Sequence, residues 1–256
     1  MKKQIPNLFT LLNLIFGCIA IVAIMQNGLM VQYNAEGAQI VSIPEKIWLG
    51  SLFILLAAIV DFLDGFLARM LGASSEMGLQ LDSLADVVSF GVAPSMIIYQ
   101  FLRLSFASEE NGLNISSAWL GFAFVLAAAG AYRLARYNIT HGQQTKNFIG
   151  VPIPAVGLVV ASFPVIYWFS SSDLVLNILE NKWILYLLVI IFSYLLVCKI
   201  PMLNLKFEGK SFTANKSRYI LLIVGLLCAI FLQWLAVPII FLVYIILSLA
   251  FLKKQL

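Results

Sequence analysis

Charge is what this sequence has least of. Only 11% of its 256 residues are Asp, Glu, Lys or Arg, while 62% are hydrophobic. A water-soluble domain carries about 25% charge, so an ordinary soluble fold is excluded. Cysteine is scarce as well. Cys18, Cys198 and Cys228 lie far apart, within or beside apolar segments. That spacing fits neither a disulfide framework nor a zinc site, and the three read as small buried hydrophobes. The single histidine, His141, reads as a loop residue without catalytic duty. The net charge of +4 is spread over segment ends and forms no single basic patch. A nucleic-acid partner is therefore not expected. Internal repeats, heptads and low-complexity stretches are absent too.

What the chain has in quantity is apolar runs of about 17–25 residues, the length that crosses a bilayer core. They predict an all-α, polytopic transmembrane helical bundle of about eight spans, with residues 1–256 as one integral membrane domain. The expected spans are Leu8–Met25, Ile47–Ala68, Gly78–Leu102, Ser117–Tyr137, Val151–Phe169 and Trp183–Cys198. A last block, Tyr219–Leu252, is too long for one span and is divided near Gln233 and Pro238. The basic start and first apolar run resemble a signal peptide. No A-x-A-like site follows them, so they read as a first span. With eight spans and a cytoplasmic N-terminus, thirteen Lys and Arg residues fall on the cytoplasmic side. Only Lys46, Arg103 and Lys182 fall outside, which favours this orientation. The acidic residues of the external loops read as solvated charge. The basic stretch Lys199–Arg218 reads as a contact for anionic headgroups.

Against this background one stretch stands out: DFLDGFLARMLGASSEMGLQLDSLAD, Asp61 to Asp86. On a helix Asp61, Asp64, Gly65 and Ala68 share a face, and so do Gly78, Asp82 and Asp86 on the next one. A carboxylate in a membrane span costs about 2.5–3.5 kcal/mol on insertion scales, so four together require compensation. One such Asp alone reads as a cap or a snorkelling group. Four in register point to a divalent cation or a pair of them, and hard cations such as Mg²⁺, Mn²⁺ or Ca²⁺ take oxygen ligands. Two metal ions can hold a diphosphate for in-line displacement at phosphorus. Gly65, Ala68 and Gly78 let a ligand approach the backbone. Arg69 offers a fork of donors to phosphate oxygens.

Three further clusters accompany it. AYRLARYNITHG places Arg133 and Arg136 on one helical face, followed by Asn138. The two arginines either snorkel at a span end or form an anion site for a diphosphate or an amino-acid carboxylate. NFIGVPIPAVG, with Gly150, Pro152 and Pro154, makes a rigid entry into the fifth span or simply starts a helix. PNLFTLLN sets Asn7, Thr10 and Asn13 at three-residue spacing, to reach a nucleotide or to cap the helix.

The pattern D-x2-D-G-x2-A-R-x8-G-x3-D-x3-D is matched without a gap by Asp61, Asp64, Gly65, Ala68, Arg69, Gly78, Asp82 and Asp86. It is the signature of the CDP-alcohol phosphotransferases, and the chain resembles that family. LDSLADVVSFGVAP, RLARYN and FIGVPIP are similar to its branch of integral-membrane phosphatidylserine synthases in bacteria and archaea. The likeness runs from about Pro6 to Pro154, within an expected catalytic core of about residues 6–170. The spans at about 183–252 match only in being apolar.

The resemblance implies transfer of a phosphatidyl group from CDP-diacylglycerol to L-serine, with release of CMP. It implies that Asp61, Asp64 and Asp82 hold two divalent ions, with Asp86 adding to the second ion or acting as the base. CDP-diacylglycerol would contact Gly65, Ala68, Arg69 and Gly78 beside Asp61 and Asp82. Arg133, Arg136 and Asn138 would serve serine or phosphate. The family also implies a homodimer among membrane lipids, in the cell membrane, with the site facing the cytoplasm. Two rivals are a relative that uses inositol, glycerol phosphate or an archaeal lipid substrate and, outside enzymes, a divalent-cation transporter.

Overall fold

A computed structural model describes residues 4–33, 35, 39–73, 75–109, 112–140, 148–203 and 215–252. Eleven α-helices appear among them: α1 Ile5–Gln26, α2 Trp48–Met70, α3 Glu76–Asp86, α4 Ala93–Ala107, α5 Ser117–Gly121, α6 Val125–Thr140, α7 Ile153–Phe169, α8 Asp173–Glu180, α9 Lys182–Val197, α10 Lys216–Leu232 and α11 Ala236–Leu252. Five uninterrupted helical stretches are long and apolar enough to cross a membrane, and six if α8 and α9, bent by 75°, count as one. α7 is apolar but shorter. The chain is therefore a helical membrane protein.

The helix limits follow the apolar runs, and two loop expectations are corrected. The segment after α1, expected as plain loop, holds an antiparallel hairpin of β1 Met30–Tyr33 and β2 Gln39–Ser42. The segment expected as loop between Ser170 and Asn181 contains α8. Asn181 begins the next helix by accepting the backbone N–H groups of Trp183 and Ile184, which supplies the cap a helix start needs. Beside α8, Lys182 pairs with Glu109 and lies 4.6 Å from the centre of the Phe106 ring.

The last apolar block turns back on itself. Gln233 has φ +45°, and a Cβ built on Gly225 would stand 3.7 Å from the Ile240 side chain. Along a straight helix residues fifteen apart are separated by about 22 Å. The reversal thus falls at Gln233, where the sequence suggests division.

The third span is the centre of the bundle. Its apolar window is 61% buried, against 11% for Arg218–Ala250, which lies at the periphery. It is not one uniform helix. Between α3 and α4, Val87–Val92 winds as a π-helix, with the Ala93 N–H bonded to the Val88 carbonyl. Pro94 lies in the first turn of α4 and offers no N–H to a carbonyl four residues back, so the wider turn relieves a local break. Phe90, buried in this segment, joins Ile97, Ile98, Phe101, Ile153, Val156 and Val160 in the core.

Lipid tails are as apolar as these side chains, so close packing and hydrogen bonds must hold the helices together. Gly17 shows the first: a Cβ there would lie 2.9 Å from Ser89 Cα and 2.3 Å from Ser89 Oγ. Ser89 shows the second, donating to the Asn13 carbonyl at 3.0 Å. Gly17→Ala is expected to cost about 1–3 kcal/mol through overpacking. Gly121→Ala, where an added Cβ meets nothing within 4 Å among the described residues, is not. Thermal unfolding in detergent checks this, and equal midpoints for the two variants would contradict the packing.

Candidate active site

The two motif helices meet through a tightly built turn. α2 ends with Gly72 at φ +57°, and the Ala73 N–H bonds back to the Ala68 carbonyl at 2.9 Å. This is the paired closure that lets a helix stop on a glycine. Ser75 then caps α3 by accepting the Gly78 N–H at 3.0 Å. The short polar connection brings the acidic face of α2 against that of α3. Oxygen atoms of Asp61, Asp64 and Asp82 all lie within 4.8 Å of one another, and the carboxyl groups of Asp61 and Asp82 come within hydrogen-bonding reach. Asp86, one turn deeper, does not join this trio.

Helix α1 supports the carboxylates from the other side. Thr10 Oγ1 donates to Asp64 Oδ2 at 2.7 Å, and Asn13 Nδ2 donates to Asp86 Oδ1 at 3.3 Å. All four of these residues are buried. Neither alternative read from the sequence for Thr10 and Asn13, a nucleotide contact or a helix cap, describes this role. Their spacing on an otherwise apolar helix was the visible signal; the partners, more than fifty residues away, were not. Asn7, on the same stripe, reaches α3: a Cβ on Gly78 would come 3.1 Å from its Oδ1. The glycine thereby admits α1.

Above the trio opens a cavity of about 400 Å³. Six of the eight motif residues line it: Asp64, Gly65, Ala68, Arg69, Gly78 and Asp82. Pro6, Asn7 and Thr10 of α1 form one wall, and Ser75 and Glu76 form part of the rim. Among the described residues a Cβ on Gly65 would meet only the Arg69 guanidinium, at 3.6 Å, so the backbone there is bare toward the cavity.

The second polar cluster is only partly brought to this place. Arg133 is 7% exposed. Among the described residues its Nε has no hydrogen-bond partner, and it lies within electrostatic reach of Asp86 and of Tyr244 on α11. Arg136 points elsewhere, donating from Nη1 to the Val197 carbonyl at 2.7 Å. Asn138 donates to Ser83 Oγ at 2.9 Å and to Gln80 Oε1 at 3.2 Å, tying α6 to α3. His141, Lys206 and Lys210 lie outside the described residues.

The geometry gives an acidic floor, a cavity with small-residue walls, and one buried guanidinium near the deepest carboxylate. A sequence model of the family described as CDP-alcohol phosphatidyltransferase matches residues 3–195, which include the acidic floor, the residues lining the cavity and Arg133. The chain belongs to the CDP-alcohol phosphatidyltransferase family. Among similar proteins is a CDP-diacylglycerol--serine O-phosphatidyltransferase of Helicobacter pylori J99, 36% identical over 60% of this chain and 54% of its own length. Another of that name, from Bacillus subtilis 168, is 35% identical over 63% of this chain and 76% of its own. An archaetidylserine synthase of Methanothermobacter thermautotrophicus is 37% identical over 52% of this chain and 53% of its own. The chain thus spans about half the length of several curated relatives it matches.

In a CDP-alcohol phosphatidyltransferase the trio has a clear use. Three carboxylates this close repel one another, and among the described residues none of them is ion-paired. Their oxygens are suitable donors for a hard divalent cation, so Asp61, Asp64 and Asp82 fit a metal site. Thr10 would orient Asp64 from behind, and removing such a partner typically costs 10–100-fold in metal affinity (about 1–3 kcal/mol). Calorimetric titration with Mn²⁺ is expected to show Thr10→Val binding about tenfold more weakly than the parent, and Asp64→Asn more weakly still. A Thr10→Val variant that binds as the parent does would reduce that hydrogen bond to a packing detail.

Proposed function

We propose that this chain transfers a phosphatidyl group from CDP-diacylglycerol to the hydroxyl of L-serine and releases CMP. The observation that carries the reading is the cavity lined by six motif residues over a three-carboxylate floor. The choice of alcohol rests on relatives whose names specify serine as the acceptor. It is supported by the buried guanidinium of Arg133, whose Nε has no partner among the described residues.

Asp61, Asp64 and Asp82 would hold two divalent ions, Mg²⁺ or Mn²⁺, with Asp86 contributing to the second. Bound there, such ions supply positive charge to the diphosphate and make its lipid-side phosphorus more electrophilic. The remaining work belongs to the chain's own groups. Gly65, Ala68 and Gly78 leave room for CDP-diacylglycerol against the backbone, and Arg69 presents donors to its phosphate oxygens. Arg133 receives the serine carboxylate, which would otherwise approach four aspartates unaided. Asp86, held by Asn13, accepts the proton from the serine hydroxyl as its oxygen bonds to phosphorus. The bond from that phosphorus to the CMP oxygen breaks, and CMP departs. Arg136 and Asn138 serve the serine site indirectly, by fixing the end of α6.

The same reading includes eight spans: α1, α2, α3 with α4, α5 with α6, α7, α9, α10 and α11. The reversal at Gln233 and the apolar character of α7 support that count. The N-terminus and the site face the cytoplasm, in accord with thirteen basic residues on that side against three outside. The protein is one integral membrane domain in the cell membrane, surrounded by lipid, and it works as a homodimer.

Purified protein given labelled CDP-diacylglycerol and a panel of serine, inositol, glycerol 3-phosphate and glycerol is expected to release CMP with serine alone. Release with another member of the panel would reassign the acceptor. Transport of Mg²⁺ by proteoliposomes without CMP release would overturn the enzyme reading. Asp61→Asn, Asp64→Asn and Asp82→Asn should each abolish release, and EDTA should do so reversibly.

Arg133→Lys removes a fork that matches a carboxylate. Its serine KM is expected to rise roughly ten- to a hundredfold, the equivalent of about 1.5–3 kcal/mol for a charge-assisted bond. The KM for CDP-diacylglycerol should move less. An unchanged serine KM would place the carboxylate elsewhere.

A further inference from the structure

The family match ends at residue 195, and the segment immediately after it is where three parts of the bundle are joined. The last turn of α9, from Leu195, and the non-helical chain that follows it from Cys198 to Leu203 form a hub. From one side it receives the end of α6, through Arg136 Nη1 on the Val197 carbonyl at 2.7 Å. It also receives the turn before α7. There the Gly150 N–H bonds to the Ile200 carbonyl at 2.9 Å and the Val151 N–H to the Leu195 carbonyl at 3.0 Å. Two short strands, β3 Phe148–Ile149 and β4 Pro201–Met202, pair antiparallel across the same place. Gly150 sits at φ +73°, and a Cβ on it would come 2.7 Å from the Leu196 carbonyl. No other residue type fits that turn without displacing the hub.

The other side of the hub is held by the peripheral hairpin. The Leu203 N–H donates to Ser248 Oγ at 3.2 Å, and Tyr244 Oη donates to the Leu203 carbonyl at 3.2 Å. Both backbone polar groups of Leu203 are thus taken up by side chains of α11. Ser248 Oγ itself donates to the Tyr244 carbonyl at 2.7 Å, so the two grips are linked. Ser248 is fully buried and Tyr244 nearly so. In apolar surroundings an extended backbone leaves its polar groups without partners unless side chains supply them. Supplying them here is a specific task, one that an apolar helix added only for bulk would not perform. Tyr244 also lies within electrostatic reach of Arg133, so the grip and the buried guanidinium are neighbours.

We propose that the C-terminal hairpin is a working part of the acceptor site. In this assignment Tyr244 and Ser248 are positioning residues that fix the Leu195–Leu203 hub, and through it the end of α6 that carries Arg133. The inference rests on the acceptor role given to Arg133 above. It adds that alcohol affinity is set partly from outside the segment shared with the family.

The test uses the full chain in lipid nanodiscs, as parent, Ser248→Ala, Tyr244→Phe and Ser248→Thr. Kinetics are run with the alcohol the parent accepts. Ser248→Ala and Tyr244→Phe are expected to raise the KM for that alcohol about three- to tenfold, the scale of one lost neutral hydrogen bond. The KM for CDP-diacylglycerol should stay at the parent's value. Ser248→Thr, which keeps the hydroxyl, should stay near the parent in both. Hydrogen exchange read by mass spectrometry should speed up in Ser248→Ala at residues 148–151 and 200–203. Unchanged exchange there, or a proportional rise in both KM values, overturns the positioning role. A parent that refuses serine overturns the acceptor assignment alone, and the exchange result and the KM split for its true alcohol still decide the latch.

Discussion

Carboxylate crowding in an apolar bundle is the constraint from which the rest follows. Asp61, Asp64 and Asp82 bring oxygens within 4.8 Å of each other, among helices that otherwise expose little but hydrocarbon. Such a group is tolerable only if each oxygen has something to do. The Ser75-capped turn aims the two acidic faces at one another, and α1 spends its few polar residues on Asp64 and Asp86. Glycines stand where those helices must approach most closely. The cavity above the floor is the space left when three helices converge on charge that none of them can bury alone.

A second class of polar residue holds the bundle without touching the cavity. Asn138 to Ser83 and Gln80, Arg136 to the Val197 carbonyl, and Ser89 to the Asn13 carbonyl each join two helices. In water such bonds would add little beyond what burial provides. Between helices in lipid they are a main source of specificity, because apolar faces distinguish poorly between neighbours and tails. This explains why two members of the arginine–asparagine cluster turn away from the carboxylates: α6 needs fastening at its C-terminal end before Arg133 can have a fixed position.

The sequence was informative where information is local. Apolar run lengths gave the helix limits to within a few residues, and the eight-residue motif located the floor of the site. The reversal near Gln233 was visible because a block of that length has no straight solution. What was hidden was pairing at a distance. Thr10 with Asp64 and Asn13 with Asp86 span separations that no periodicity reports. A helix that is apolar all round carries little directional pattern, so nothing in α11 announced that Tyr244 and Ser248 face the chain near Leu203. The β-hairpin after α1 and the short α8 were missed for another reason. Both are brief elements in segments connecting the spans, too short for periodicity to be informative and where local propensity is weak evidence.

The arrangement also has an order in time. The floor draws on α1, α2 and α3, all within the first 86 residues, and contacts between chain neighbours form with the smallest loss of chain entropy. Synthesis proceeds from the N-terminus, so the acidic floor can assemble while the rest of the polypeptide is still being made. The hub at Leu203 has no such freedom. Its backbone is satisfied by side chains at positions 244 and 248, and those follow the floor, complete at Asp86, by more than 150 residues. A nascent chain therefore carries a finished floor beside an unfastened hub, and insertion of α11 is the event that fastens it.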